Sequence, residues 1–167
     1  MSNNILLAVD AASGDPAHHV SAAAAMRREL GRDPGSVWMA AFSAEHPDGK
    51  TAFKVHMTKQ RNPPGTTLRA ITCDGQLVGC IGSSAFPGQT EVTCWIGRAA
   101  WARGIASRAL ALLAGLVPAR PLYARVASDN IGSLRAAQKA GFKITGTEMS
   151  FARVRNSQIQ QTILRKD

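Results

Sequence analysis

From Thr66 onward the apolar positions recur at two distinct periods, and the change from one to the other sets the order of elements. Thr66 to Cys73 and Gln76 to Ile81 are two β-compatible runs joined by Asp74-Gly75. That dipeptide best fits a type I′ hairpin turn, whose central residues both need positive φ. Glu91 to Ile96 predicts a further strand, with Val92, Cys94 and Ile96 alternating against Thr93 and Trp95 as one buried face requires. The period then lengthens. Ile105, Ala109, Leu112, Leu113 and Leu116 recur at three and four, which predicts an amphipathic helix ending before Pro118. Leu122 to Ala127 reads as a strand and Asn130 to Ala140 as a helix closed by Gly141. Phe142 to Arg153 and Gln158 to Leu164 read as extended segments. The order β, β, β, α, β, α, β, β predicts an α/β domain with a mixed sheet flanked by helices.

Before Thr66 the pattern is weaker. Ile5 to Val9 is a short apolar run, Ser13-Gly14-Asp15-Pro16 a turn, and Ala22 to Leu30 a helix that Gly31 ends. Val37 to Phe42 reads as a strand. Beyond Pro47, the positions Phe53, Met57 and Gln60 suggest one side of a helix stopped by Pro63-Pro64-Gly65. Repeats and low-complexity linkers are absent from the sequence.

Composition narrows the function classes. The 167 residues, 45% of them hydrophobic, suffice for one domain with a full core. Lys and Arg number 20 against 11 acids, and the formal charge of +9 attracts polyanions, whether nucleic acid, phosphorylated cofactors or acidic surfaces, without choosing among them. The basic residues are scattered, with only Arg27-Arg28 and Arg165-Lys166 adjacent, so no dedicated nucleic-acid arm is expected. Cys73, Cys80 and Cys94 are odd in number and lack the paired spacing of a zinc site or disulfide framework, which suits reduced thiols in a cytoplasmic protein. Asp10 ends the Ile5 to Val9 run too early for a signal peptide or membrane span. The histidines His18, His19, His46 and His56 contain no pair three or four apart, so no metal is expected. Trp38, Trp95 and Trp101 read as core residues. Ala44 to Thr51 ends like a phosphate-binding P-loop, but Ala44 replaces its first glycine and Pro47 removes a donor N–H from the loop. Nucleotide hydrolysis is therefore set aside.

Two segments carry the candidate chemistry. Trp95 to Ser107 runs from a strand through a short loop into a helix whose start holds Arg103, Gly104 and Ala106. The first N–H groups of a helix lack internal partners and sit at the positive end of its dipole, so a pyrophosphate accepts several at once. Small side chains at Gly104 and Ala106 leave that backbone open, while Arg103 and Arg108 add charge. The second segment is Asn130-Ile131-Gly132-Ser133 followed by Lys139-Ala140-Gly141-Phe142.

Together these segments resemble the GNAT superfamily of N-acetyltransferases. The similarity points to the branch of ribosomal-protein alanine N-acetyltransferases, with its Trp-x-x-Gly-x-Ala helix entry, Asn-x-x-Ser and Lys-x-Gly-Phe. The resemblance runs from about Thr66 to Asp167 and weakens from Val37 to Gly65. It implies a GNAT fold over residues 36–167 behind a variable segment 1–35, in which the fourth and fifth strands, Glu91–Gly97 and Leu122–Ala127, splay apart to admit the pantetheine arm of acetyl-CoA. The cofactor-binding residues it implies are Cys94, Trp95, Ile96, Arg98, Arg103, Gly104, Ile105, Ala106, Ser107 and Asn130. Backbone at Cys94 to Ile96 would pair with pantetheine amides as an added strand does, and Arg103 to Ser107 would serve the pyrophosphate.

The implied reaction is direct attack of a primary amine, on a peptide N-terminus or a small molecule, on the thioester carbonyl, with a backbone N–H near Cys94 stabilising the oxyanion. A carboxylate must relieve the ammonium of its proton; Glu91 is the first candidate and Glu148 the second. Many relatives place a tyrosine where this chain has Ala137, so Ser133 is the candidate that hydrogen-bonds the departing thiolate. Cys94 stands where the branch commonly has a tyrosine and reads as a small core residue. A catalytically inert module binding acyl-CoA or a macromolecular partner is the alternative that Ala137 supports. A homodimer also fits the resemblance, since dimers are common in the superfamily.

Overall fold

The computed structural model describes residues 4–8, 32–41, 67–86 and 88–167. The turn expected at 13–16, the helices at 22–30 and 53–60, and the P-loop-like stretch at 44–51 lie outside the described residues. Within them seven strands form one sheet in the order β1-β2-β3-β4-β5-β7-β6. The strands are β1 (Ile5–Ala8), β2 (Thr67–Cys73), β3 (Gln76–Phe86), β4 (Gln89–Ile96), β5 (Leu122–Ala127), β6 (Lys143–Ala152) and β7 (Ser157–Lys166). The helices are α1 (Pro34–Ala40), α2 (Ile105–Leu116) and α3 (Ile131–Lys139). This is the mixed α/β arrangement that the period changes predict. Every strand pair is antiparallel except β4 with β5.

Local chemistry accounts for most boundaries. Asp74 and Gly75 adopt φ of 52° and 79°, the positive pair a type I′ turn needs, and Cys73 pairs with Gln76 across it. The turn also anchors the sheet edge, because Asn4 and Asp74 exchange N–H bonds of 2.9 Å. Strand β3 runs on past Ile81 to Phe86, where the chain turns at Gly88 (φ 75°) into β4. Gly141 (φ 91°) closes α3, and Lys166 Nζ donates to the Ala140 carbonyl at 2.9 Å.

Three expectations change. Val37 to Phe42 does not form a strand: its described residues belong to α1 and its end. Asp33 caps the helix, accepting the Ser36 N–H at 3.1 Å, and Pro34 occupies the first turn, where its missing N–H costs nothing. A short apolar run does not distinguish strand from helix, and here the cap decides. In α2 the buried face is Ile105, Ala109, Leu110, Leu113 and Ala114, whereas Leu112 and Leu116 are exposed. The helix has apolar residues on more than one flank, and packing on β1, β3, β4 and α3 selects which go inward. Trp38 and Trp101 are exposed rather than core, their rings lying 5.0 Å from Arg155 and 5.7 Å from Arg98 respectively.

The sheet has a face for each task. Val92, Leu122, Ala124 and Leu164 join α2 and α3 in the main core, with Ile71, Ile81 and Leu113 fully enclosed. The opposite face carries two small apolar groups. One is Ala70 and Cys80 with Leu68, Leu77 and Trp95; the other brings Ala41 beside α1 onto Ala127, Ala152 and Ile159. The middle of that second face, between β4 and β5, is polar.

Candidate functional site

Strands β4 and β5 pair only at Thr90 with Leu122 and Glu91 with Tyr123. Past that point β4 continues to Ile96 and β5 to Ala127, with no further pairing between them. On its other side β4 stays fully laddered to β3, Cys94 opposite Ile81 and Trp95 opposite Cys80. The backbone groups of Val92 to Ile96 that look toward β5 therefore form an open strand edge, the geometry that receives an extended chain with amide groups. Cys94 and Ile96 send their side chains to the main core and Trp95 to the opposite face. Burial, with a smaller push from Cys80, drives the Cys94 thiol far above its usual range, so it remains a thiol and not a nucleophilic thiolate.

Beyond the fork a 3₁₀ turn, Arg98–Ala100, leads to the start of α2. Trp101 Nε1 donates to the Ile96 carbonyl at 2.7 Å and folds the loop back on the strand end. Ala102 (φ 59°) and Gly104 (φ 73°) flank Arg103, both in the left-handed region. Gly104 is the N-cap and supplies no side-chain cap, leaving the first-turn N–H groups of α2 to an outside acceptor. Ile105, 1% exposed, pins the helix start to the core, while the neighbouring Arg103 and Gly104 are exposed. Ser107 donates its hydroxyl to the Gly104 carbonyl at 2.9 Å, tightening that turn. Arg103 reaches the Cys73 sulfur at 3.8 Å. Arg98 pairs with Asp33, its Nε 3.1 Å from the carboxylate, and its guanidinium covers Gly35, where a Cβ would collide with it.

Asn130 caps α3, accepting the Ser133 N–H at 3.1 Å, and donates from Nδ2 to the Met39 carbonyl at 3.2 Å. Its side chain thus holds α1 against the start of α3. Ala137 is 2% exposed and sits in the main core, so no space is held there for a larger side chain.

On the polar face the fork carries a cluster that joins both candidate carboxylates through a residue the sequence reading did not single out. Arg125 donates from Nη1 to Glu91 Oε2 at 2.5 Å and from Nε to Glu148 Oε1 at 3.0 Å. Gln161 adds a 2.6 Å bond from Nε2 to the same Glu148 oxygen. Desolvation pushes the Glu91 carboxyl above its usual range, against the pull of Arg125 and with a further push from Glu148. The signal for Arg125 was present, since it is a charged residue between the core-facing Ala124 and Val126 of a short strand. Only the sheet register shows that Glu91 and Glu148 lie within its reach.

The sequence profile of the acetyltransferase (GNAT) domain matches residues 16–143. The chain belongs to the GNAT acetyltransferase family. No curated protein matches it in sequence. Among solved structures this GNAT chain is similar to the N-acetyltransferase from Staphylococcus aureus Mu50, with 20% identity over 100% of this chain and 99% of that one at TM-score 0.71. It is also similar to the ribosomal-protein-alanine N-acetyltransferase from Brucella melitensis, with 19% identity, 98% of each chain covered and TM-score 0.70. A third likeness is to the GNAT superfamily phosphinothricin acetyltransferase from Sinorhizobium meliloti, solved with acetyl-CoA, with 16% identity over 99% and 88% of the two chains and TM-score 0.71. At these identities the likeness establishes the fold. The alanine N-acetyltransferase is one type among several neighbours, so it does not single out a branch. Among the described residues no helix is long and apolar enough to cross a membrane, and no group of His, Cys, Asp and Glu is placed to hold a metal.

Proposed function

We propose that this GNAT domain moves an acetyl group from acetyl-CoA to a primary amine by direct attack, the amine being a peptide N-terminus or a small molecule. The observation that carries the reading is the break in β4–β5 pairing after Glu91 and Tyr123, which opens a strand edge leading to the uncapped start of α2. The residues fit acetyl-CoA along that path. The β4 edge at Cys94 to Ile96 offers N–H and C=O groups to pantetheine amides, and the N–H groups of Gly104 to Ser107 offer donors to the pyrophosphate. Arg103 adds charge beside them. Bound there, acetyl-CoA supplies an activated thioester.

The chain's own groups do the rest. An N–H of β4 near Cys94 stabilises charge on the carbonyl oxygen, and Glu91 and Glu148 face the side from which an amine approaches and take up its proton. Ser133, in the first turn of α3, donates to the departing sulfur. Position 137, where many relatives place a tyrosine for that step, is an alanine enclosed in the core. The solved structure with acetyl-CoA supports the donor, while neighbours that differ in acceptor leave the amine class to experiment.

The test is thermal unfolding with and without acetyl-CoA, followed by thiol release against small amines and N-terminal peptides. Stabilisation with amine-dependent thiol release is expected. Stabilisation without release favours an inert acyl-CoA-binding module, the reading Ala137 allows, and no stabilisation defeats the proposal.

A further inference from the structure

Past Glu91 and Tyr123 no backbone pairing joins β4 to β5, yet side chains tie the far ends of both strands to α1. On the β4 side, Trp101 bonds the Ile96 carbonyl, and the Arg98 guanidinium lies 5.7 Å from the Trp101 ring. Arg98 Nε then reaches Asp33 Oδ2 at 3.1 Å. That oxygen also accepts the N–H and the hydroxyl of Ser36, so the tie ends on the cap of α1 itself. On the β5 side, residues just after Ala127 hold the other end. Asn130 donates to the Met39 carbonyl, and Asp129 pairs with Arg155, whose Nε and Nη2 donate to the Trp38 carbonyl at 3.1 and 3.0 Å. The length of the bridge suits the gap. Asp33 to Met39 is six residues, a rise of about 9 Å along a helix, and a sheet lacking one strand leaves two spacings, about 9.6 Å. The sequence of α1 also makes room for the tie. Glycine is a poor helix former, yet Gly35 is the second residue of α1, where a Cβ would collide with the Arg98 guanidinium.

We propose that α1 is a cross-brace that keeps the β4–β5 fork open by one strand width in the free protein, with Asp33, Gly35 and Arg155 as positioning residues that touch no substrate. Two neighbouring strand edges with unpaired N–H and C=O groups gain partners by closing on each other, and the brace opposes that closure. The slot for an extended chain then exists before any ligand arrives, and binding does not have to open it. The brace follows from the contacts of α1 alone. Its benefit to donor affinity rests on the acetyl-transfer reading, in which the pantetheine arm fills the slot as a missing strand would. The two ties differ in strength. The side chains of Arg98 and Asp33 are 58% and 30% exposed, whereas that of Arg155 is 7% exposed and held by two carboxylate bonds. The β4 end of the brace is therefore the one that gives way first.

The experiment compares the full wild-type chain with Gly35→Ala, Asp33→Asn and Arg155→Gln. Amide hydrogen exchange is followed from Val92 to Ile96 without ligand, and acetyl-CoA binding by titration calorimetry. Gly35→Ala improves the helix but displaces the Arg98 guanidinium, and Asp33→Asn keeps a capping side chain while removing the charge that Arg98 meets. In both variants the β5-facing N–H groups of β4 should exchange more slowly than in the wild type, roughly fivefold, because the fork closes and pairs them. Acetyl-CoA should bind about fivefold more weakly, the upper end of what an ion pair of this exposure carries. Arg155→Gln should shift both readouts the same way. A tie that merely supported α1 would give the opposite sign, since loosening it would quicken exchange. Should Arg155→Gln fail to fold, the two variants at the β4 end still decide. Exchange that is unchanged or faster in Gly35→Ala and Asp33→Asn overturns the inference, as does acetyl-CoA affinity equal to that of the wild type in both. A wild-type chain that does not bind acetyl-CoA fails the acetyl-transfer reading instead, and the exchange measurement, which uses no ligand, still judges the brace.

Discussion

Gly104 shows how one residue serves folding and binding for separable reasons. Its φ of 73° is left-handed, and a Cβ placed on it would meet only Ser107 Oγ, at 4.0 Å. The conformation, not crowding in the free protein, calls for glycine. Gly104→Ala should therefore cost about 1 kcal/mol of stability from backbone strain. If the helix start holds the pyrophosphate, the variant should also lose acetyl-CoA-induced stabilisation beyond what the lower starting stability explains. Thermal unfolding with and without acetyl-CoA separates the two effects, and unchanged stabilisation by acetyl-CoA would remove Gly104 from the binding argument. Arg125 makes the complementary point. Its neighbours in sequence reveal little of its role, which depends on partners in other strands.

At the scale of elements, α1 is the instructive case. Seven residues are too few to hold a helix in water, so its stability has to come from outside. Arg98 braces the Asp33 cap, while the carbonyls of Trp38 and Met39 near the other end accept from Arg155 and Asn130. Arg155 is itself fixed by a two-pronged pair with Asp129, at 2.6 and 3.2 Å. Hydrogen bonds from Arg155, against an opposing desolvation and with the help of its charge, hold the Asp129 carboxyl below the usual aspartate value of 3.8. A depressed folded-state value means stability that is present above 3.8 and lost as pH falls through the lower, folded-state value. Asp129→Asn should accordingly be less stable at pH 7 by roughly 0.5 to 1 kcal/mol, a figure discounted because the carboxylate is 59% exposed. In unfolding curves across pH, the gap between the two proteins should hold from neutral pH to about 3.8 and close below it. A gap that persists well below that range would assign the loss to packing and not to the ion pair.

For the whole molecule, the excess of basic residues and the direction of the fork act together. A chain of formal charge +9 attracts a polyphosphorylated donor from a distance, and the attraction fades as salt shortens its range to about 10 Å at 0.1 M. The affinity for acetyl-CoA should fall as salt is raised, whereas that for the uncharged pantetheine portion alone should barely respond. Titration calorimetry at low and high ionic strength would show it. Equal salt dependence for the two ligands would mean that the basic residues take no part in recognition.

The sequence alone determined the local features. Asp74-Gly75 set the hairpin because two positive φ values are cheap for few other residue pairs. The lengthening period after Ile96 set α2, and the segments from Trp101 to Ala106 and from Asn130 to Phe142 carried the family resemblance. Tertiary structure decided which flank of α2 is buried, since a helix with apolar residues on several sides has no inward face until a sheet meets it. It decided that Val37 and Trp38 are helical, through a cap that partners from distant segments brace. It also decided the cluster at the fork. Glu91, Arg125, Glu148 and Gln161 lie on four strands and meet only once β4, β5, β7 and β6 stand side by side in register. A contact between residues far apart in sequence is fixed by strand order and register, and no local pattern encodes those before the chain has folded.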